Sequence, residues 1–159
     1  MSLSNSLFQM LRKAKLSDVR HIYKLITHFS KLGEVLPRPM VELYEHVRDF
    51  FVYEDRDLVV GACALHICWE NLAEIRSLVV SEEYQNKGVG VQLVLACLEE
   101  AKILEIPRVF VLTTVPEFFE KMGFKKVSKG ELPQKVWSDC IRCSKFPDCN
   151  EIPLIKEII

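Results

Sequence analysis

The sequence has no excess of charge of either sign, no long apolar run and no stretch of simple composition, and each absence removes a class of function. Lys and Arg number 21 against 22 Asp and Glu, a formal net charge of −1, so nothing global recommends a nucleic acid or an anionic membrane surface as partner. No apolar run approaches the ~20 residues that cross a bilayer, and the N-terminus lacks the charged-then-apolar pattern of a secretion signal. A soluble, cytoplasmic protein is expected. Repeats and low-complexity linkers are also missing, and 159 residues suit one domain, 1–159, whose core needs no staples. Met1-Ser2-Leu3 has the look of a cloning remnant and is set aside.

What is present concentrates between Ala73 and Gly90. Ile75, Leu78, Val79 and Val80 give the β-branched and apolar density of a strand, with polar punctuation after Ser81. Gln85 to Gly90 then spells Q-x-x-G-x-G, followed by an apolar-rich, Pro-free segment from Val89 to Leu104 long enough for a helix. Strand, glycine loop, helix is an anion site in outline. Gly88 and Gly90 let the backbone approach a ligand with no Cβ in the way, and the unpaired N–H groups of the first helical turn point outward. A pyrophosphate fits that description. A dinucleotide fold would need G-x-G-x-x-G after an N-terminal strand, and a P-loop Gly-Lys-Ser/Thr; neither occurs.

The rest of the chain supplies a frame. A first strand is expected from Phe8 to Lys15, with Ser17 and Asp18 as N-cap of a helix whose face is Val19, Ile22, Leu25, Ile26 and Phe29, closed by Gly33. Pro39 suits the start of a second helix with Met40, Leu43, Tyr44, Val47 and Phe50 as its buried stripe. Phe51 to Tyr53, Asp55-Arg56-Asp57 and Leu58 to Trp69 read as strand, turn, strand, and Asn71 marks the next turn. Pro107 stops the long helix, Arg108 to Thr113 is a continuous apolar strand, and Pro116 opens a short helix to Met122 that Gly123 caps. Strands are expected from Phe124 to Val127 and from Ile152 to Ile159. The order β-α-α-β-β-β-α-β-α-β-β is α+β with a mixed sheet, and its glycine loop falls at the carboxyl end of the fourth strand.

The strand, Gln85-x-x-Gly88-x-Gly90, the long helix, the next strand and Phe119-x-x-x-Gly123-Phe124 together resemble a GNAT acetyltransferase. Glu74-Ile75-Arg76-Ser77-Leu78, Arg108 to Thr114, Glu117 to Phe124 and Leu132-Pro133-x-Lys135-Val136-Trp137-x-Asp139-Cys140 are similar, more narrowly, to the short stand-alone form of N-acetylglutamate synthase. The resemblance runs over nearly the whole chain. It implies a mixed, mostly antiparallel sheet flanked by helices, and transfer of an acetyl group from acetyl-CoA to the α-amino group of L-glutamate, a step of arginine biosynthesis. The kinase-like domain that hosts arginine feedback in longer members is not expected here. No metal is expected, and a homodimer is compatible with the pattern.

The resemblance also distributes roles. The backbone of Gln85, Asn86, Lys87, Gly88, Val89 and Gly90 is expected to hold the pyrophosphate, and Leu78, Val79 and Val80 to bond the pantetheine amides. Lys87 either adds charge beside the phosphates or is a solvated loop lysine. Glu74 matches the general base, against a bland reading as an exposed strand-end carboxylate. Many GNAT enzymes carry a tyrosine acid where this chain has Phe119, which cannot donate a proton. Thr113 matches the serine hydroxyl assigned to that task in the glutamate enzymes, and water is its rival. Arg38, set between two prolines, matches a substrate-carboxylate arginine, since two carboxylates want cationic partners. Lys145 matches a second one, Lys135 is in reserve, and Arg76 shares a strand face with Glu74. Between Lys125 and Cys149, six Lys/Arg face three Asp/Glu, a local +3 that suits an anionic substrate.

Of the six cysteines, Cys63, Cys68 and Cys97 sit in apolar stretches as small core residues. Cys140, Cys143 and Cys149 are one ligand short of a closed zinc site, and the four histidines (21, 28, 46 and 66) all lie in the first half. Reduced packing thiols, a redox pair and a metal all stay open for them. Rival functions are acetylation of another amino acid or a polyamine, a CoA-binding sensor without turnover, and a metal-stabilised interaction module.

Overall fold

A computed structural model describes residues 9–132 and 150–159. The expected order of elements is observed. Strands β1 (Gln9–Lys13), β2 (Phe50–Asp55), β3 (Leu58–Trp69), β4 (Leu72–Val80), β5 (Arg108–Thr113), β6 (Lys125–Lys126) and β7 (Ile152–Glu157) are interleaved with helices α1 (Val19–Lys31), α2 (Met40–Glu45), α3 (Val89–Ile103) and α4 (Pro116–Glu120). Contacts divide the chain into two compact units, 1–65 with 75–100 and 66–74 with 101–159. Among the described residues no helix is long and apolar enough to cross a membrane.

In the first unit β1, β2, β3 and β4 are neighbours in that order. The pairing of β2 with β3 is antiparallel, and Asp55 faces Leu58 across a two-residue turn. Arg56 and Asp57 both have positive φ, at 53° and 65°, the mirror-image turn whose twist suits a tight hairpin. Further along, Tyr53 faces Gly61 and Glu54 faces Val59, so Val60 is the extra residue of a bulge. The core of this unit lays Val19, Ile22, Ile26 and Phe29 of α1 and Leu43 of α2 on Phe50, Val52, Val59, Ala62, Ala64 and Val79. Each buried Val, Leu, Ile or Phe among them contributes about 1.5–3 kcal/mol by leaving water, so the helical spacing read in α1 is what seats it.

Three local expectations are revised. Asp18 precedes α1, yet its carboxylate does not cap that helix. It accepts the Lys15 N–H at 2.7 Å and a forked pair of bonds from Arg12 Nη1 and Nη2 at 2.7 and 3.0 Å. An arginine fork satisfies a buried carboxylate better than one helical N–H does. Second, α2 stops at Glu45; Val47–Asp49 form a 3-10 turn and Phe50 opens β2, so the stripe seen in the sequence joins a helix to a strand. Third, α3 ends at Ile103, close to the expected Leu104, but a left-handed residue rather than Pro107 makes the stop. Glu105 has φ 60°, its N–H reaches Lys102 O, and the Ile106 N–H reaches Ala101 O at 2.9 Å. That is a Schellman stop with glutamate where glycine is usual. At α1 the same motif carries the expected Gly33, with the Glu34 N–H on Phe29 O.

The second unit holds β5, β7 and β6, neighbours in that order. Both pairings of β7 are antiparallel, with Arg108 opposite Glu157 and Lys125 opposite Ile155. Phe110, Cys68, Leu72 and Leu132 form its cluster with Leu112 and Ile155 packed against them. Arg108 Nε meets both Glu157 oxygens at 3.2 Å on the exposed sheet face, a structural use of that arginine.

Candidate active site

Strand β4 leads to the glycine loop, and its path is set by Ser77, whose φ of 57° is left-handed in mid-strand. A serine held there bends the strand and re-aims the residues that follow. Beyond it Val79 is buried while Leu78 and Val80 are half-buried. The Ser81 N–H donates to the carbonyl of the bulge residue Val60 at 2.8 Å, which pins the end of β4 to β3. Glu82–Tyr84 form one 3-10 turn.

The loop itself alternates handedness. Asn86 (φ 61°) and Gly88 (φ 86°) are left-handed, with Lys87 between them. Such alternation turns successive N–H groups toward one side and makes a concavity for an anion. The Gln92 N–H already reaches Gly88 O at 3.0 Å. Helix α3 therefore begins at once, and the N–H groups of its first turn have no partner within the helix. The Gln85 side chain donates from Nε2 to Val80 O at 3.0 Å, so its amide braces the loop. Lys87 Nζ stands 5.8 Å over the Tyr84 ring. The Tyr84 hydroxyl donates to Asp55 Oδ2 in the β2–β3 hairpin. That bond, with lesser help from burial, raises the phenol above its ordinary value.

Gly61 seats the helix. A Cβ there would stand 3.1 Å from Leu93 Cδ1, 3.3 Å from Val89 Cγ1 and 3.4 Å from Val79 O. The glycine thus lets β3 approach the first turn of α3 more closely than any other residue would.

Arg38 and Arg76 belong to this unit as well. Arg38 sits between Pro37 and Pro39, the latter extended at φ −63° and ψ 149°. Its Nη1 donates to Glu42 Oε2 at 3.3 Å, and 19% of the side chain is exposed. Its Nε is buried and has no hydrogen-bond partner among the described residues. Such a donor costs free energy unless something completes it. Arg76 is half-buried on β4.

Glu74 and Thr113 fall in the second unit. Glu74 is half-buried on β4 between buried Ala73 and Ile75. Thr113 ends β5, is 8% exposed, and its Oγ1 accepts the Val115 N–H at 3.0 Å. With one lone pair so held, the hydroxyl keeps its proton for another acceptor. Phe119 is buried, edge-on to Phe118 and to Phe124 at 4.9 and 5.4 Å between centroids, and is a core residue. Cys63 and Cys97 are buried with their sulfurs 3.7 Å apart, and Cys68 is buried too. Lys135, Lys145, Cys140, Cys143 and Cys149 lie outside the described residues. Sequence reasoning passed over Ser77, Gly61, Asp55 and Tyr84. For Gly61 a signal existed, since glycine inside a strand marks close approach.

The model of the acetyltransferase (GNAT) domain matches residues 46–126. An uncharacterised N-acetyltransferase of Chlorobaculum tepidum is 40% identical over 151 residues, covering 93% of this chain and 96% of the relative. An amino-acid acetyltransferase of Mycobacterium tuberculosis is 37% identical over 137 residues, 84% of this chain and 78% of that one. The structure of N-acetylglutamate synthase from Neisseria gonorrhoeae, complexed with coenzyme A and N-acetyl-glutamate, superposes with a TM-score of 0.87 at 28% identity. It covers 98% of this chain, which spans 36% of that longer protein. The chain belongs to the GNAT acetyltransferase family and has its mixed seven-stranded sheet flanked by helices. It is an acetyl-CoA-dependent N-acetyltransferase.

Proposed function

We propose that the acceptor is a free amino acid, L-glutamate, acetylated on its α-amino group to give N-acetylglutamate for arginine biosynthesis. The observation that carries this reading is Arg38: a guanidinium held by Pro37, Pro39 and Glu42 with a buried, uncompleted Nε–H. An acidic acceptor supplies the carboxylate that completes it, where a polyamine would not. The relatives named for amino-acid acetylation support the same choice.

In this reading the coenzyme pyrophosphate lies on the N–H groups from Gln85 to Gly90 with Lys87 beside it, and the pantetheine arm bonds the backbone from Leu78 to Val80. Glu74 takes the proton from the glutamate ammonium, directly or through one water. The freed nitrogen attacks the thioester carbonyl, and the tetrahedral adduct collapses with loss of the CoA thiolate. That thiolate takes a proton from the Thr113 hydroxyl, whose orientation the Val115 N–H sets, or from water. Arg38 holds a carboxylate of the acceptor; Arg76, Lys135 and Lys145 are the further cations of the proposed site. The protein works in the cytoplasm, as one domain, with no nucleic acid or membrane as partner.

Release of free CoA, followed with the twenty amino acids and with a polyamine as acceptors, tests the proposal. Saturable turnover with glutamate alone is expected. Turnover with a polyamine and silence on every amino acid would overturn it.

A further inference from the structure

The loop that Asn86 and Gly88 shape is exposed from Gln85 to Gly88, and an exposed loop of this length has no reason to keep one shape unless something outside it holds on. Two longer-range bonds, Ser81 N–H to Val60 O at 2.8 Å and His28 Nε2 with Glu82 Oε1 at 3.2 Å, end before Tyr84, and the other ties nearby are short-range. Tyr84 N–H reaches Ser81 O at 2.8 Å, and Gln85 Nε2 reaches Val80 O at 3.0 Å. These fix the entry to the loop against itself. The bond from the Tyr84 hydroxyl to Asp55 is different in kind, because it spans 29 positions to the end of a two-residue hairpin that is locked by the positive φ of Arg56 and Asp57. Tyr84 also carries the Lys87 ammonium over its ring.

We infer that Asp55 is a positioning residue for the coenzyme: through Tyr84 it holds the Gln85–Gly90 loop and the Lys87 ammonium in their binding arrangement before acetyl-CoA arrives. The inference rests on the reading of this loop as the pyrophosphate site. Its physical basis is preorganisation, in which ordering done during folding is not charged against binding.

Dissociation constants of CoA and of pantetheine, which lacks the pyrophosphate, separate the possibilities. For Tyr84→Phe and for Asp55→Ala the CoA constant should rise about threefold to tenfold, the worth of one hydrogen bond, while the pantetheine constant stays put. Asp55→Asn keeps an acceptor oxygen and should stay near wild type. The Tyr84→Phe/Asp55→Ala double variant should be no weaker than either single one, because both remove the same bond. Equal weakening of CoA and pantetheine, or singles whose effects multiply, overturns the inference. If wild-type protein binds pantetheine as tightly as CoA, the loop is not a pyrophosphate site and the parent reading falls first.

Discussion

Gly61→Ala places one methyl group against the first turn of α3 and asks whether that turn is tuned for the coenzyme. The new Cβ meets Leu93 Cδ1 at 3.1 Å, Val89 Cγ1 at 3.3 Å and Val79 O at 3.4 Å. Carbon atoms prefer about 3.5–4.0 Å, so Leu93 and Val89 must each retreat by some tenths of an ångström. Both are buried, at 0% and 4% exposure, and cannot swing into solvent. Overpacking of this size costs about 1–2 kcal/mol, partly offset by the roughly 0.5–1 kcal/mol that alanine gains over glycine in the unfolded chain. The net loss of stability should be under about 1.5 kcal/mol, a fall in Tm of at most about 3–6 °C for a chain of this size. Binding should suffer as well. Val89 opens the helix whose N–H groups are proposed to face the anion, and charge-assisted bonds are steep in distance, so CoA should bind about tenfold more weakly, near 1.4 kcal/mol. Calorimetric titration with CoA and a thermal melt of the same samples give both numbers. A lowered Tm with unchanged CoA affinity would refute the reasoning, because the strain would then have been absorbed without moving the helix end.

Glu74→Gln should lower kcat by about 10²–10⁴-fold and leave CoA affinity unchanged; an unaltered rate in the CoA-release assay removes Glu74 as the base. Arg38→Ala should raise the KM for glutamate about tenfold to a hundredfold with little change for acetyl-CoA, and Arg38→Lys should recover only part, since lysine lacks the fork. Asp18→Asn should cost about 2 kcal/mol by denaturant titration, discounted from a fully buried pair because Arg12 keeps 20% of its side chain exposed. Burial pushes the Asp18 carboxyl up, but Arg12 and the Lys15 N–H outweigh it and hold it below its ordinary value. Its stabilisation is therefore present above the unfolded value near ~4 and lost as pH falls through the folded one, so the gap between variant and wild type should close in acid. Glu105→Gly, at φ 60°, should stabilise by roughly 0.5–1 kcal/mol; a destabilised variant would show that the glutamate side chain matters more than its backbone.

The order of elements was legible because it rests on local signals. The α1 face, the Gly33 stop and the long β3 run are all written within a few residues of where they act. Misreadings arose where a longer-range partner outbid the local one. Asp18 looks like a cap, but Arg12 on β1 claims it. The stripe from Met40 to Phe50 has helical spacing, yet Phe50 pairs with Ala64 in the sheet. At the site, the loop was visible because glycines and the helix start lie side by side. Asp55 and Tyr84 were invisible because nothing near either residue names the other, and Ser77 gave no hint because serine is an unusual choice for a left-handed position.

In the second unit β7 lies between β5 and β6, although it follows both in sequence. The β5 edge from Arg108 to Thr113 and the two-residue β6 therefore wait, as the polypeptide emerges, for Ile152–Glu157 to come between them. That closing strand seals in Leu154, which is fully buried. Assembly of this half thus depends on pairing strands far apart in sequence, which slows folding. A nascent chain is exposed to proteases and to neighbouring chains along the open β5 edge until Ile152–Glu157 has been made.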